Sequence, residues 1–302
     1  MSTTTLTAFY DLAVGPVSFD FVVFLTKARM HAARIGAERV HVVVVPFALG
    51  VGGMFRDKRP FFDEHEARWR LHNIVIPACA LAGATHTLAT GWDMARLLAG
   101  EHCFPHDWDK QSLKDRRHLV GEIIRDANNG QKVPRLSASP HALRMVKKWA
   151  KEPYVTITLR HTYLPERNSK TGTWMAVDLY ISEHGYNVYM LRDTSVALEC
   201  GKGYGELNLD LRMAMYQNAA LNLQANNGAA SLCWFGDAPY RMFGAGVPAD
   251  EWDGLFVKQG LPLGASWPWA GREQRICYGK ETAAQIIAEF DKWKESAGAI
   301  TP

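Results

Sequence analysis

Two stretches of this sequence gather side chains able to hold an anion. Arg160-His161-Thr162-Tyr163-Leu164-Pro165-Glu166-Arg167-Asn168-Ser169 brings together two guanidinium groups, an imidazole, an amide and several hydroxyls. A guanidinium is a fixed-charge fork that matches the oxygens of a phosphate. Arg160 and Arg167, with Asn168 beside them, are therefore candidate diphosphate ligands. A solvated loop with surface arginines is the equal alternative. Asn226-Asn227-Gly228 is the second stretch. Glycine lets backbone approach a ligand closely, and a helix beginning there would favour an anion. Asn-Gly is also the commonest of turn dipeptides, and alone that is the plainer reading. Arg192-Asp193 adds a further cation and a carboxylate able to bind a ribose hydroxyl or cap a helix. Asp11, ahead of Gly15, could act as a general base toward an acceptor hydroxyl, or close the turn.

Weaker candidates surround these. Arg56, Lys58 and Arg59 lie in a Gly-rich stretch over residues 47–64, able to close over an acidic ligand or simply to stay solvated. Trp267 and Trp269 could stack on a sugar or pack in a core. His65, His72 and His86 have no metal-ligand spacing. Five scattered cysteines, an odd number, argue for free thiols rather than a disulfide framework or a zinc site.

Several function classes lose their support. There is no Walker A loop, no GxGxxG after the first strand and no GxSxG elbow, and the one Asp-x-Asp triplet is Asp107-Trp108-Asp109. The 302 residues are 47% apolar and 22% charged, an ordinary globular balance with room for two domains. A net charge of +3 does not imply nucleic-acid binding. It is split unevenly: residues 1–150 carry 20 Lys/Arg against 14 Asp/Glu (+6), and residues 151–302 carry 14 against 17 (−3). No apolar run reaches the ~20 residues of a membrane span. Residues 1–7 lack the basic start of a signal peptide, so the expected location is the cytoplasm.

The elements that must position these residues alternate between strand and helix. Strands are predicted over 7–12, 39–46, 85–89, 154–160, 186–191, 219–224, 241–243 and 274–278. The four consecutive valines at 42–45 mark the second as fully buried. Helices are predicted over 19–35, 66–81, 93–98, 119–127, 140–151, 173–184, 209–217 and 281–293, with one more starting at 229. Residues 1–150 and 151–302 thus form two α/β domains, with 140–151 as the connector. Open parallel sheets bind ligands beyond the carboxyl ends of their strands. Asp11 and Arg160 stand at the ends of predicted strands, and Arg192 and Asn226 just beyond them.

The whole pattern resembles a two-domain GT-B glycosyltransferase. The carriers are two Rossmann-like halves, the strand ending Thr158-Leu159-Arg160 followed by Arg167-Asn168, and a returning C-terminal helix. The arginine stretch is similar to the motif with which fucosyltransferase-like members hold the nucleotide diphosphate. Residues 215–235 (MYQNAALNLQANNGAASLCWF) resemble the strand–turn–helix that faces the donor phosphates in heptosyltransferase-like members. The turn there is Asp-Ser-Gly, replaced here by Asn226-Asn227-Gly228. The resemblance implies domains facing across a cleft, with the acceptor on the first and a nucleotide sugar on the second. Arg160, Arg167, Asn168, Arg192, Asp193, Asn226, Asn227 and Gly228 would be donor-side residues. Asp11 and Arg160 would be catalytic, with no metal and no cofactor beyond the donor substrate. The acceptor would be a glycan or lipid-linked molecule, met with peripheral membrane contact and no nucleic acid. An epimerase-like sugar-nucleotide enzyme and a non-catalytic binding protein of the same shape are the rival readings.

Overall fold

The computed structural model describes residues 4–12, 15–45, 64–108, 120–161, 168–192, 208–244 and 255–298. The chain divides into two compact units, 1–137 and 138–302. The break falls ahead of the helix over 140–149, which packs within the second unit. Ser139 Oγ caps that helix by accepting from the Ala142 amide (3.1 Å), and it donates to Asp210 Oδ2 (2.6 Å).

In the first unit, β1 (Thr5–Asp11), β2 (Arg39–Val45), β3 (Thr85–Leu88) and β4 (His102–Phe104) form one parallel sheet in the order β3-β2-β1-β4. β1 is central and buried from Leu6 to Tyr10, as its apolar run requires. Helix α1 (Asp20–Ile35) returns the chain to β2 and ends on Gly36 in the left-handed region (φ 72°). The helix expected over 66–81 is interrupted: α2 (Glu64–Arg70) passes through a π turn (Leu71–Val75) into α3 (Ile76–Leu81). Pro77, which has no N–H to donate, sits just past that turn. Helices α4 (Trp92–Leu97) and α5 (Val120–Asn128) follow. The strand β4 escaped the sequence reading because only three residues form it. The stretch 47–63 with Arg56, Lys58 and Arg59 lies outside the described residues.

The second unit holds α6 (Pro140–Trp149), β5 (Tyr154–Thr158), α7 (Thr171–Glu183), β6 (Asn187–Leu191), α8 (Leu209–Asn218), β7 (Leu221–Ala225), α9 (Ser231–Trp234), β8 (Tyr240–Phe243), α10 (Leu255–Lys258), β9 (Gln274–Ile276) and α11 (Ala283–Gly298). Its sheet is parallel in the order β6-β5-β7-β8-β9. Alternation along β5 sorts its side chains between two faces. Val155 and Ile157 join the apolar core with Trp174, Val177 and Ile181 of α7 and with Ile286 and Phe290 of α11. Thr156 and Thr158 make polar ties instead: Thr156 Oγ1 donates to Asn222 Oδ1 (2.5 Å), and Thr158 Oγ1 shares a hydrogen bond with Tyr216 of α8 (2.9 Å). Both units are thus doubly wound α/β structures of the Rossmann-like kind. Among the described residues no helix is long and apolar enough to cross a membrane.

Candidate functional site

Strand order in the second sheet reverses direction between β5 and β7. At such a switch point the loops leaving two adjacent strands run to opposite faces and open a crevice at the carboxyl edge. Arg160 lies two residues beyond β5, and Asn226 lies one residue beyond β7. The register places Thr158 opposite Gln224, so the two candidate stretches leave neighbouring strands side by side.

Side chains then fix these loops. Asn227 Nδ2 donates to the Leu159 carbonyl (2.9 Å), tying the β7 turn to the β5 loop. Its Oδ1 accepts from the Ala230 amide (2.9 Å), capping the short helical segment that begins at Gly228. The buried Asn227 amide is therefore engaged at both ends, while Asn226 is half-buried and Gly228 exposed. The β5 loop closes through Ser169: the Arg160 amide donates to Ser169 Oγ (3.0 Å), and the Ser169 amide donates to the Arg160 carbonyl (3.0 Å). That closure holds half-buried Asn168 near the end of β5. Arg167 and Asp193 lie outside the described residues.

A buried network that the sequence reading missed supports the edge from below. Arg212 of α8 is fully buried; its Nε donates to Tyr216 Oη (2.9 Å) and its Nη2 to the Arg192 carbonyl (2.8 Å). Through Tyr216 it reaches Thr158, so one side chain links the ends of β5 and β6. Burial pushes the Tyr216 phenol up, although the guanidinium pulls it the other way. Cys233, buried and pushed up by desolvation, accepts from Gln224 Nε2 (2.8 Å). Arg212 and Tyr216 at i,i+4 on an apolar helix were the available signal.

Glu281 was also missed. The indole N–H of fully buried Trp174 donates to its Oε1 (2.5 Å). Its Oε2 lies 3.2 Å from where a Cβ on Gly244 would stand, and the Asn226 amide nitrogen is 4.0 Å from the same point. Gly244 has φ 72°, so glycine serves both the backbone and the close approach. Glu281 thus brings a carboxylate to the ends of β7 and β8.

In the first unit, half-buried Asp11 ends β1 opposite Val45. Its carbonyl accepts from the Gly15 amide (2.7 Å), and the Tyr10 hydroxyl donates to the Pro16 carbonyl (2.7 Å). A Cβ on Gly15 would lie 2.5 Å from Tyr10 Cζ, so only glycine lets the turn cross that ring. Trp267 belongs to the core: it is 2% exposed, packed against Phe256 and Trp234 and stacked on Trp269 (5.3 Å). No group of three or more His, Cys, Asp or Glu side chains suited to a metal ion occurs among the described residues.

No family model matches this sequence, and no curated protein matches it. Solved structures do. The bacterial iron-containing dodecameric glycosyltransferase TibC from enterotoxigenic E. coli is 14% identical, with a TM-score of 0.50 over 98% of this chain and 77% of that one. A second structure, of TibC as a dodecameric iron-containing heptosyltransferase in complex with ADP-D-β-D-heptose, is also 14% identical, with a TM-score of 0.50 over 97% and 77%. A family 9 glycosyltransferase from Veillonella parvula is 10% identical, with a TM-score of 0.48 over 97% and 98%. The likeness to TibC shows the fold, which is GT-B-like.

Proposed function

We propose that this protein is a metal-independent glycosyltransferase that moves a sugar from a nucleotide-activated donor to a glycan or glycoconjugate acceptor. The observation that carries the proposal is the joined pair of loops at the β5/β7 switch point, where Asn227 holds the Arg160 loop against the Asn226–Gly228 turn. The fold shared with TibC, a protein solved with ADP-heptose, supports a nucleoside diphosphate donor. In this reading the second unit takes the donor and the first unit the acceptor. Arg160 and Arg167 bind the diphosphate and stabilise it as it leaves, with Asn168, Arg192 and the Gly228 backbone around it and Asp193 toward the ribose. The acceptor hydroxyl attacks the anomeric carbon, and Asp11 takes its proton. Guanidinium charge fills the place a divalent cation would otherwise have beside the diphosphate. The enzyme works in the cytoplasm, in polysaccharide or glycoconjugate assembly, on an acceptor that can be lipid-linked.

A thermal-shift series with ADP, UDP, GDP, TDP and CMP, each with and without EDTA, tests this. Ligand binding to the native state raises the melting temperature with the logarithm of ligand excess. One diphosphate should give a shift that EDTA leaves unchanged. No shift with any of them would remove the donor site, and a shift abolished by EDTA would remove metal independence.

A further inference from the structure

Helix α6 presents a face that the proposed reaction does not use. Ala142, Val146 and the following Ala150 are buried against the second unit, and the Leu143 carbonyl accepts from Asn218 Nδ2 (3.3 Å). On the opposite side Arg144 and Lys148 point outward, one turn apart. Lys147 and Lys151 flank them on one side; Met145 (39% exposed) and Trp149 (41%) flank them on the other. The run 140–151 carries four Lys/Arg and no acid before Glu152. Among the described residues none of these four cations makes an ion pair, whereas Lys27 is paired with Glu122, and Arg275 and Lys292 both hold Glu289. The Trp149 ring meets Tyr189 edge-on (5.8 Å), and Tyr189 meets Tyr154 in the same way (5.1 Å), so the indole is held at the surface rather than left to swing.

We infer that this face docks the protein on an anionic bilayer surface. Anionic leaflets attract clustered Lys and Arg within about a Debye length. A fixed, half-exposed indole beside the cations suits the headgroup level, where tryptophan is enriched. The surrounding unit disfavours a nucleic-acid partner, because residues 151–302 carry a net −3 and offer no longer basic path. Peripheral membrane contact is also what the GT-B resemblance implies, but the assignment of this face needs neither donor nor acceptor, so vesicle binding and donor binding can fail separately.

Sedimentation of the full chain with vesicles of phosphatidylcholine alone, or with about a third phosphatidylglycerol, tests it. Binding should require the anionic lipid and fall several-fold between 0.1 and 0.5 M NaCl. Each cation at such a surface is worth about fivefold in partitioning. Arg144→Gln/Lys147→Gln/Lys148→Gln should therefore lose roughly a hundredfold, with its melting temperature unchanged because all three side chains are exposed. Trp149→Phe should weaken binding while leaving its salt dependence intact. Absent binding to anionic vesicles, undiminished binding by the triple variant, or tighter binding to a polyuridine RNA than to the vesicles would each overturn the inference.

Discussion

The carboxyl edges of the two sheets are built from different materials. At the second sheet the loops are held by polar ties: Asn227 to the Leu159 carbonyl, Ser169 to Arg160, Arg212 to the Arg192 carbonyl and Trp174 to Glu281. At the first sheet rings carry much of the packing, beside the hydrogen bonds from the Gly15 amide to the Asp11 carbonyl and from the Tyr10 hydroxyl to the Pro16 carbonyl. Phe9 stacks on Trp108 at 3.9 Å, Trp108 lies along Trp92 at 6.1 Å, and Tyr10 sits against Phe21 and Phe24 at 4.8 and 4.9 Å. Hydrogen bonds are directional, so the second edge fixes individual groups, which suits a small, highly charged ligand such as a diphosphate. Ring packing among the buried Phe9, Tyr10, Phe21 and Phe24 fixes a strand end that carries a single carboxylate, Asp11. The donor-and-acceptor division proposed above follows this contrast.

Asp11→Asn attacks the proposed acceptor side and should have the largest effect. Loss of a general base removes about a hundredfold or more in kcat, while binding of the nucleoside diphosphate, measured calorimetrically, stays as in the parent. Unchanged turnover would take Asp11 out of the mechanism and leave the first edge without a chemical role. A paired test then compares the two materials directly. Asn227→Ala strips the cap from Ala230 and leaves the Leu159 carbonyl without its donor, a loss of about 2–3 kcal/mol in urea unfolding. Gly15→Ala forces a methyl into the Tyr10 ring, an overpacking cost of about 1–3 kcal/mol. Only the Asn227 variant should also weaken donor binding. Equal weakening by both would mean that the edges do not act separately.

The fold was largely legible because apolar periodicity and turn residues agree along most of the chain. The valines of β2, the alternation in β5, the Ser139 cap and the Gly36 stop each have one physical reading, and each appears where expected. What escaped was what burial alone cannot signal. β4 is three residues at a sheet edge, and the π turn before Pro77 looks like helix in any periodic pattern. At the candidate site the strand-end rule found Arg160, Arg192 and Asn226, since it depends only on where strands stop. It could not find Arg212 or Glu281, which come from elsewhere in the chain and reach the edge through tertiary contacts. Asn227 was singled out as a donor contact, yet the tie it makes to Leu159 depends on strand order, which no local pattern encodes.

Arg160→Ala is the next test of the polar edge. Charge-assisted bonds to phosphate are worth about 1.5–3 kcal/mol each, so diphosphate affinity should fall more than tenfold. Alanine keeps the backbone amide and carbonyl through which Ser169 closes this loop, so the loop closure should survive the substitution. A large loss of stability with unchanged affinity would make Arg160 a structural residue.

The smallest effect separates the units by pH. Each has a buried thiol, Cys79 in the first and Cys277 in the second, and burial pushes both from the ordinary 9.0 up to about 12. A raised folded-state value means that the native protein keeps a proton which the unfolded chain loses above pH 9. That contribution is complete below pH 9 and is lost as pH climbs toward 12. Each thiol should therefore cost roughly 1 kcal/mol between pH 8 and pH 10. Cys277→Ala should lessen the alkaline decline of the second unit only, where buried Cys233 supplies a further share, and Cys79→Ala should lessen that of the first. Urea unfolding followed at both pH values, with a probe in each unit, reads this out. If either substitution flattened both transitions, the units would unfold as one cooperative body, and the contrast between their edges would describe chemistry within a single folding unit.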